Sequence, residues 1–207
     1  MSRIAGLYAI ADSGWNPCAT LPDLVLKFLD GGCRLVQLRM KSAAAAHMRK
    51  TAEEIALLKE RREFTFIVND HADIALEVGA DGVHVGEHDT PVADIKRRFG
   101  SKLIVGYSSH SIEEAWRAVD AGADYVAFGA IFPTRTKGPG HPVQGLSRLK
   151  ELTDSVDVPV VAIGGIGRDN VLDVLKAGAD SVAMITALSK APDIAAETRW
   201  FVEAIER

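Results

Sequence analysis

Cysteine is nearly absent from this 207-residue chain, which carries only Cys18 and Cys33. Two thiols at that separation give neither a zinc-ligand pattern nor a disulfide framework, so a reducing compartment is expected. Both read as small packing residues. No stretch reaches the ~18 consecutive apolar residues that a membrane-spanning helix needs. Residues 1–11 also lack the charged-then-apolar order of a signal peptide. A soluble, cytoplasmic protein is the expectation. Basic charge is not in excess: 24 Lys and Arg face 28 Asp and Glu, for a net charge of −4. That balance argues against nucleic acid or an anionic membrane as a partner. Any anion site must therefore be a local cluster of cations. Helical metal-ligand histidine pairs are missing too, and His84, His88 and His110 read as satisfied polar groups rather than zinc ligands or general bases.

What the chain does have is a recurring short apolar run followed by helical periodicity. The runs are Leu7–Ile10, Leu35–Leu38, Phe66–Val68, Gly82–Val85, Leu103–Gly106, Tyr125–Gly129, Val160–Ile163 and Ser181–Ile185. They are rich in Val and Ile, as strands buried on both faces are. Between them lie amphipathic stretches. In residues 112–121, Ala115, Ala118 and Val119 mark one face and Glu113, Glu114 and Arg117 the other. Eight such units predict an α/β protein, a TIM (β/α)8 barrel with residues 1–207 as one catalytic domain. An open doubly wound sheet is the alternative.

A weak repeat supports the barrel. Gly79-Ala-Asp81, Gly122-Ala-Asp124 and Gly178-Ala-Asp180 each follow a helical segment and precede a strand. Glycine there can take the left-handed conformation that ends a helix. The three aspartates are expected to be structural, on the barrel face remote from chemistry.

Barrel enzymes build their sites from the loops after the strands. At the second strand, alternation puts Gln37, Arg39 and Lys41 on one face and Val36, Leu38 and Met40 on the other. Two cations together in the barrel mouth suggest a bound phosphate, with an interior carboxylate partner for Arg39 as the alternative. The third strand ends in Asn69-Asp70, and the next loop carries Gly86-Glu87-His88-Asp89. Asp70 and Asp89 can converge from neighbouring strands as Mg²⁺ ligands. The structural alternatives are an Asn-Asp turn and a helix cap at Asp89-Thr-Pro91. After the sixth strand, Thr134, Thr136 and Lys137 can hold a phosphate, and the Gly138-Pro-Gly140 tail suggests a closing loop. Gly164-Gly165-Ile166-Gly167 and Met184-Ile185-Thr186 follow strands seven and eight, where backbone N–H groups cradle phosphate in this class of barrel. A metal beside cations and a separate phosphate cradle imply two phosphorylated substrates, one a diphosphate that departs with metal assistance.

Gln37-Leu-Arg39-Met-Lys41, Asn69-Asp70, residues 81–89, Gly106-Tyr-Ser108-Ser-His-Ser, Pro133-Thr-Arg-Thr-Lys137 and Ala162-Ile-Gly-Gly-Ile166 together resemble the motif set of the thiamine-phosphate synthase family. The resemblance spans essentially the whole chain. It implies condensation of an aminopyrimidine diphosphate with a thiazole phosphate, by departure of diphosphate and capture of the pyrimidine-methyl cation by the thiazole nitrogen. By the same resemblance, residues 37–41, with Leu38 and Met40 among them, form a substrate-binding segment. Gln37, Arg39, Lys41, Asn69, Ser108 and Lys137 bind the pyrimidine diphosphate, and Arg39, Ser108 and Lys137 carry catalysis. Asp70 and Asp89 hold one Mg²⁺ per subunit. Thr134 and Thr136 contact the thiazole phosphate together with backbone at Gly165, Ile185 and Thr186, and Arg135 between them is a further substrate-binding residue.

Some positions depart from the family pattern. Met40 stands where an acidic residue is common, Thr186 where Ser is frequent, and Tyr107 where a smaller residue is usual. Little of the chain precedes the first strand to plug the barrel bottom. Two other readings stand beside the synthase: a thiazole tautomerase of the sister family, and a non-catalytic thiazole-phosphate binder. Neither needs the residues proposed for the diphosphate and its metal. Self-association into a homo-oligomer is left open.

Overall fold

Alternation along each short strand sends one set of side chains inward and the other outward, so a closed ring of such strands needs two packing layers. The computed structural model describes residues 3–134 and 142–206. Its strands are β1 (Gly6–Asp12), β2 (Leu35–Arg39), β3 (Thr65–Asn69), β4 (Gly82–Val85), β5 (Ile104–Ser109), β6 (Tyr125–Gly129), β7 (Val160–Ile163) and β8 (Ser181–Met184). All pair in parallel and in sequence order, and β8 closes on β1 with Leu7 opposite Val182. That closure makes the fold a TIM-type barrel and removes the open-sheet alternative. β1 runs two residues beyond the expected Ile10, and β5 reaches Ser109. Both extensions carry polar residues into the barrel mouth.

Helices α1 (Leu21–Asp30), α2 (Ala45–Leu57), α3 (Ala72–Glu77), α4 (Val92–Phe99), α5 (Ile112–Asp120), α6 (Gly145–Thr153) and α7 (Val171–Lys176) fill the crossovers, and α8 (Thr186–Ser189) and α9 (Ile194–Ile205) follow β8. Among the described residues, no helix is long and apolar enough to cross a membrane. The outer layer buries Val36, Leu38, Val68, Val83 and Phe128 against Phe28, Ile55, Ile95, Leu149 and Phe201 from the helices. Each such side chain contributes about 1.5–3 kcal/mol of transfer free energy. The inner layer holds Tyr8, Leu35, Ile67, Tyr125 and Val161, and Ile4 joins it at 3% exposure. Ile4 therefore supplies apolar filling from the short segment ahead of β1.

The Gly-Ala-Asp repeats act as expected. Gly79, Gly122 and Gly178 have φ of 71°, 95° and 95°, in the left-handed region that favours glycine. The aspartate after each then bonds a residue at the start of the preceding strand through both backbone and side chain. Asp81 donates its N–H to Phe66 O and accepts the Phe66 N–H on Oδ2, both at 2.8 Å. Asp124 does the same with Val105, and Asp180 with Val160. These carboxylates replace ladder bonds at the bottom of the sheet and lie opposite the mouth.

Candidate active site

The inward positions nearest the strand C-termini are Asp12, Gln37, Arg39, Asn69, His84 and Ser108. Five of them, Gln37, Arg39, Asn69, His84 and Ser108, form the polar side of a cavity in the barrel mouth. Ile10, Ala127, Val161, Ile163 and Ala183 form its apolar side. A cavity with one wall of each character suits a heteroaromatic ring. A second cavity opens at the ends of β6, β7 and β8, lined by Gly129, Thr134, Gly164, Gly165, Ile166 and Thr186 among others. The two share Ile163, Ala183 and Ile185, so they adjoin.

The cations of β2 are already neutralised within the protein. Arg39 forms an ion pair with Asp12, its register partner at the end of β1. Asp12 is 4% exposed and also accepts the Gly14 N–H at 2.8 Å. Lys41 Nζ lies 2.8 Å from Asp70 Oδ2 and 3.8 Å from Asp89 Oδ1. Repulsion between the two cations, the reason for inferring a bound anion, is thus offset by three carboxylates, and the alternative of an interior partner for Arg39 is realised. Leu38 and Met40 face outward into the helix layer at 0% and 4% exposure. Strand alternation thus keeps both side chains out of the mouth, and only backbone could bring them to a substrate.

Asp70 and Asp89 do converge. Asp70 has φ of +67°, the one non-glycine residue with positive φ among those described. Aspartate tolerates that region better than most residues. Its N–H donates to His84 O at 2.8 Å, tying the end of β3 to β4. Burial raises the Asp70 carboxyl above its ordinary value and neighbouring Asp89 adds to this, while Lys41 opposes both. Asp89 accepts the Gly86 N–H on Oδ2 at 2.8 Å. It therefore closes its own turn and does not cap α4, whose N-cap is Pro91 with no side-chain bond. The described residues contain no cluster of three or more His, Cys, Asp or Glu suited to a metal. Two carboxylates held around an ammonium match the partial ligand set by which Mg²⁺ is bound when substrate phosphate completes it.

On the other side, Gly164 and Gly165 have φ of 100° and 68°. A Cβ on Gly165 would lie 2.7 Å from both Phe132 O and Pro133 O, so the β6 and β7 loops touch through a position only glycine fits. Ile185 and Thr186 lie where β8 turns into α8. Arg135, Thr136 and Lys137 lie outside the described residues, as does the Gly138–Gly140 tail.

Of the histidines, His84 bonds Tyr125 and Ser108, as a satisfied polar group does. His110 lies 3.6 Å from Glu114 and lines the larger cavity. His88 is exposed. Sequence reasoning missed Asp12, Tyr8, Tyr125 and Gln144. The first three follow the period-2 rule that identified Gln37 and Arg39. Gln144 is 5% exposed and donates through Nε2 to His110 O at 2.8 Å, joining the β5 and β6 loops. No local pattern marks it.

Comparison with known proteins gives the family. The model of the thiamine monophosphate synthase family matches residues 7–188. A thiamine-phosphate synthase of Methanospirillum hungatei is 40% identical over 96% of this chain and 96% of its own. One from Chloroflexus aurantiacus is 42% identical over 93% and 89%. Among solved structures, a thiamine phosphate pyrophosphorylase from Pyrococcus furiosus superposes with a TM-score of 0.87 at 38% identity, covering 97% and 96% of the two chains. The chain belongs to the thiamine monophosphate synthase family.

Proposed function

We propose that this chain is a transferase that joins 4-amino-2-methyl-5-hydroxymethylpyrimidine diphosphate to 4-methyl-5-(2-phosphoethyl)thiazole, or to its carboxylated precursor, giving thiamine phosphate and diphosphate. The observation that carries the reading is the pair of adjoining cavities, one lined by Gln37, Arg39, Asn69 and Ser108, the other bounded by the glycine loop after β7, with Lys41, Asp70 and Asp89 brought together by ion pairs at the neighbouring strand ends. Family membership and relatives bearing that name support it. Residues 1–207 are read as one catalytic domain working in the cytoplasm.

In this reading the pyrimidine occupies the smaller cavity against Gln37, Asn69 and Ser108. Arg39, Lys41 and Lys137 hold the diphosphate, with Arg39 and Lys41 exchanging their carboxylate partners for phosphate oxygens. Asp70 and Asp89 would hold Mg²⁺, which supplies Lewis-acid neutralisation of the leaving group. The thiazole phosphate lies on Thr134, Arg135 and Thr136, with Gly165, Ile185 and Thr186 offering backbone N–H groups. The methylene C–O bond breaks with both electrons leaving on diphosphate, and the thiazole nitrogen lone pair forms the new C–N bond. Fixed cations around the departing charge are the main catalytic device. A neutral ring nitrogen already carries the lone pair that attacks, so this step needs no general base.

The test is a coupling assay with both substrates and Mg²⁺, with and without EDTA, following thiamine phosphate and diphosphate. Metal-dependent product is expected. No product, with thiazole phosphate still bound, would point instead to an isomerase or an idle binder.

A further inference from the structure

Five side chains from five strands form one hydrogen-bonded row beneath the smaller cavity. Gln37 Nε2 donates to Tyr8 Oη at 2.8 Å, and Tyr8 Oη lies 2.9 Å from Tyr125 Oη. Tyr125 Oη lies 3.0 Å from His84 Nδ1, and His84 Nε2 lies 2.8 Å from Ser108 Oγ. The His84 ring stacks on Tyr125 with centroids 5.5 Å apart. Burial raises both phenols well above their ordinary value, so each keeps its single proton.

The amide sets the direction of the row. An amide nitrogen only donates, so Tyr8 Oη accepts there and passes its own proton to Tyr125. Tyr125 then donates to His84 Nδ1. The neutral imidazole carries its proton on Nε2 and donates to Ser108 Oγ. The Ser108 proton is the last in the row, and Ser108 lines the cavity. In the opposite direction Gln37 and Tyr125 would both donate to Tyr8. The Tyr8 proton would then be left without an acceptor, a costly state in a residue 1% exposed.

We infer that Tyr125, fully buried and outside the cavity lining, is a positioning residue that acts through His84 to present the Ser108 hydroxyl as a hydrogen-bond donor to the pyrimidine diphosphate. The inference rests on the substrate proposed above. The acceptor it selects is a ring nitrogen or a diphosphate oxygen. Tyr125 does not line the cavity and is fully buried, so its hydroxyl acts on a ligand there along the row.

The test is calorimetric binding of the pyrimidine diphosphate to the wild type, Tyr125→Phe, Ser108→Ala and the double variant. Tyr125→Phe is expected to weaken binding about tenfold, the size of one net hydrogen bond. Affinity for thiazole phosphate should not change. On the Ser108→Ala background Tyr125→Phe should have a smaller effect, because the branch through His84 ends at the group removed while Tyr8 and Gln37 remain. Unchanged binding in Tyr125→Phe, or additive losses in the double variant, overturns the inference. Weakening seen also with inorganic diphosphate places the acceptor on the diphosphate; weakening confined to the pyrimidine compound places it on the ring. Imidazole ¹⁵N shifts of the wild type give a readout independent of variant folding. His84 protonated on Nε2 is expected, and a proton on Nδ1 overturns the polarity. A wild type that does not bind the pyrimidine diphosphate at all refutes the proposed function instead.

Discussion

The ring of Tyr125 fills the space that a side chain on Gly106 would occupy. The two are register partners on β6 and β5, and a Cβ built on Gly106 would lie 2.0 Å from Tyr125 Cζ and 2.4 Å from its hydroxyl. An inward position on β5 is thus given up so that a tyrosine from β6 can cross beneath the site.

Gly106→Ala should therefore destabilise the fold by about 1–3 kcal/mol through overpacking. Displacing Tyr125 should also weaken pyrimidine diphosphate binding. Urea denaturation and calorimetry on the same preparation measure both. A variant of wild-type stability would mean that the ring yields without cost.

Asp89→Ala should abolish metal-dependent turnover while leaving thiazole-phosphate affinity nearly intact, because the second cavity does not include it. Full activity of this variant in magnesium would disprove the metal assignment.

Asp12→Asn leaves Arg39 without its charged partner at the mouth. A loss of about 1–3 kcal/mol is expected, the cost of an unpaired, partly buried charge. Inorganic diphosphate offers a replacement anion. It should therefore raise the unfolding temperature of the variant more than that of the wild type. Equal shifts would argue that Arg39 does not reach the anion.

Burial alone would raise the Asp81 carboxyl, but hydrogen bonds from Lys59 and the Phe66 N–H, with the charge of Arg3, hold it below its ordinary 3.8. A depressed folded-state value gives stability that is present above the unfolded-state value and lost as pH falls through the folded one. Asp81→Asn should cost about 1.5–3 kcal/mol at neutral pH. It should also remove part of the acid sensitivity expected below pH 3.8. Urea midpoints at pH 7 and across the acid range check both, and an unchanged acid limb would discount this carboxylate.

Strands, their faces and their punctuation were legible in the order of the residues. Period-2 alternation put Gln37 and Arg39 inward and Met40 outward, and the Gly-Ala-Asp turns marked where helices stop. These are local rules, set by backbone geometry over a few residues. The convergence of Asp70 and Asp89 was also legible, because consecutive barrel strands are neighbours. Tertiary structure alone decided which groups meet across the ring. Tyr8 reaches Tyr125 across the barrel interior, Asp12 captures Arg39, and Lys41 lies between two carboxylates that read from sequence as waiting for a metal. Strand closure and register fix such pairings. A carboxylate at the end of one strand has no local signature of the cation it will neutralise on the next.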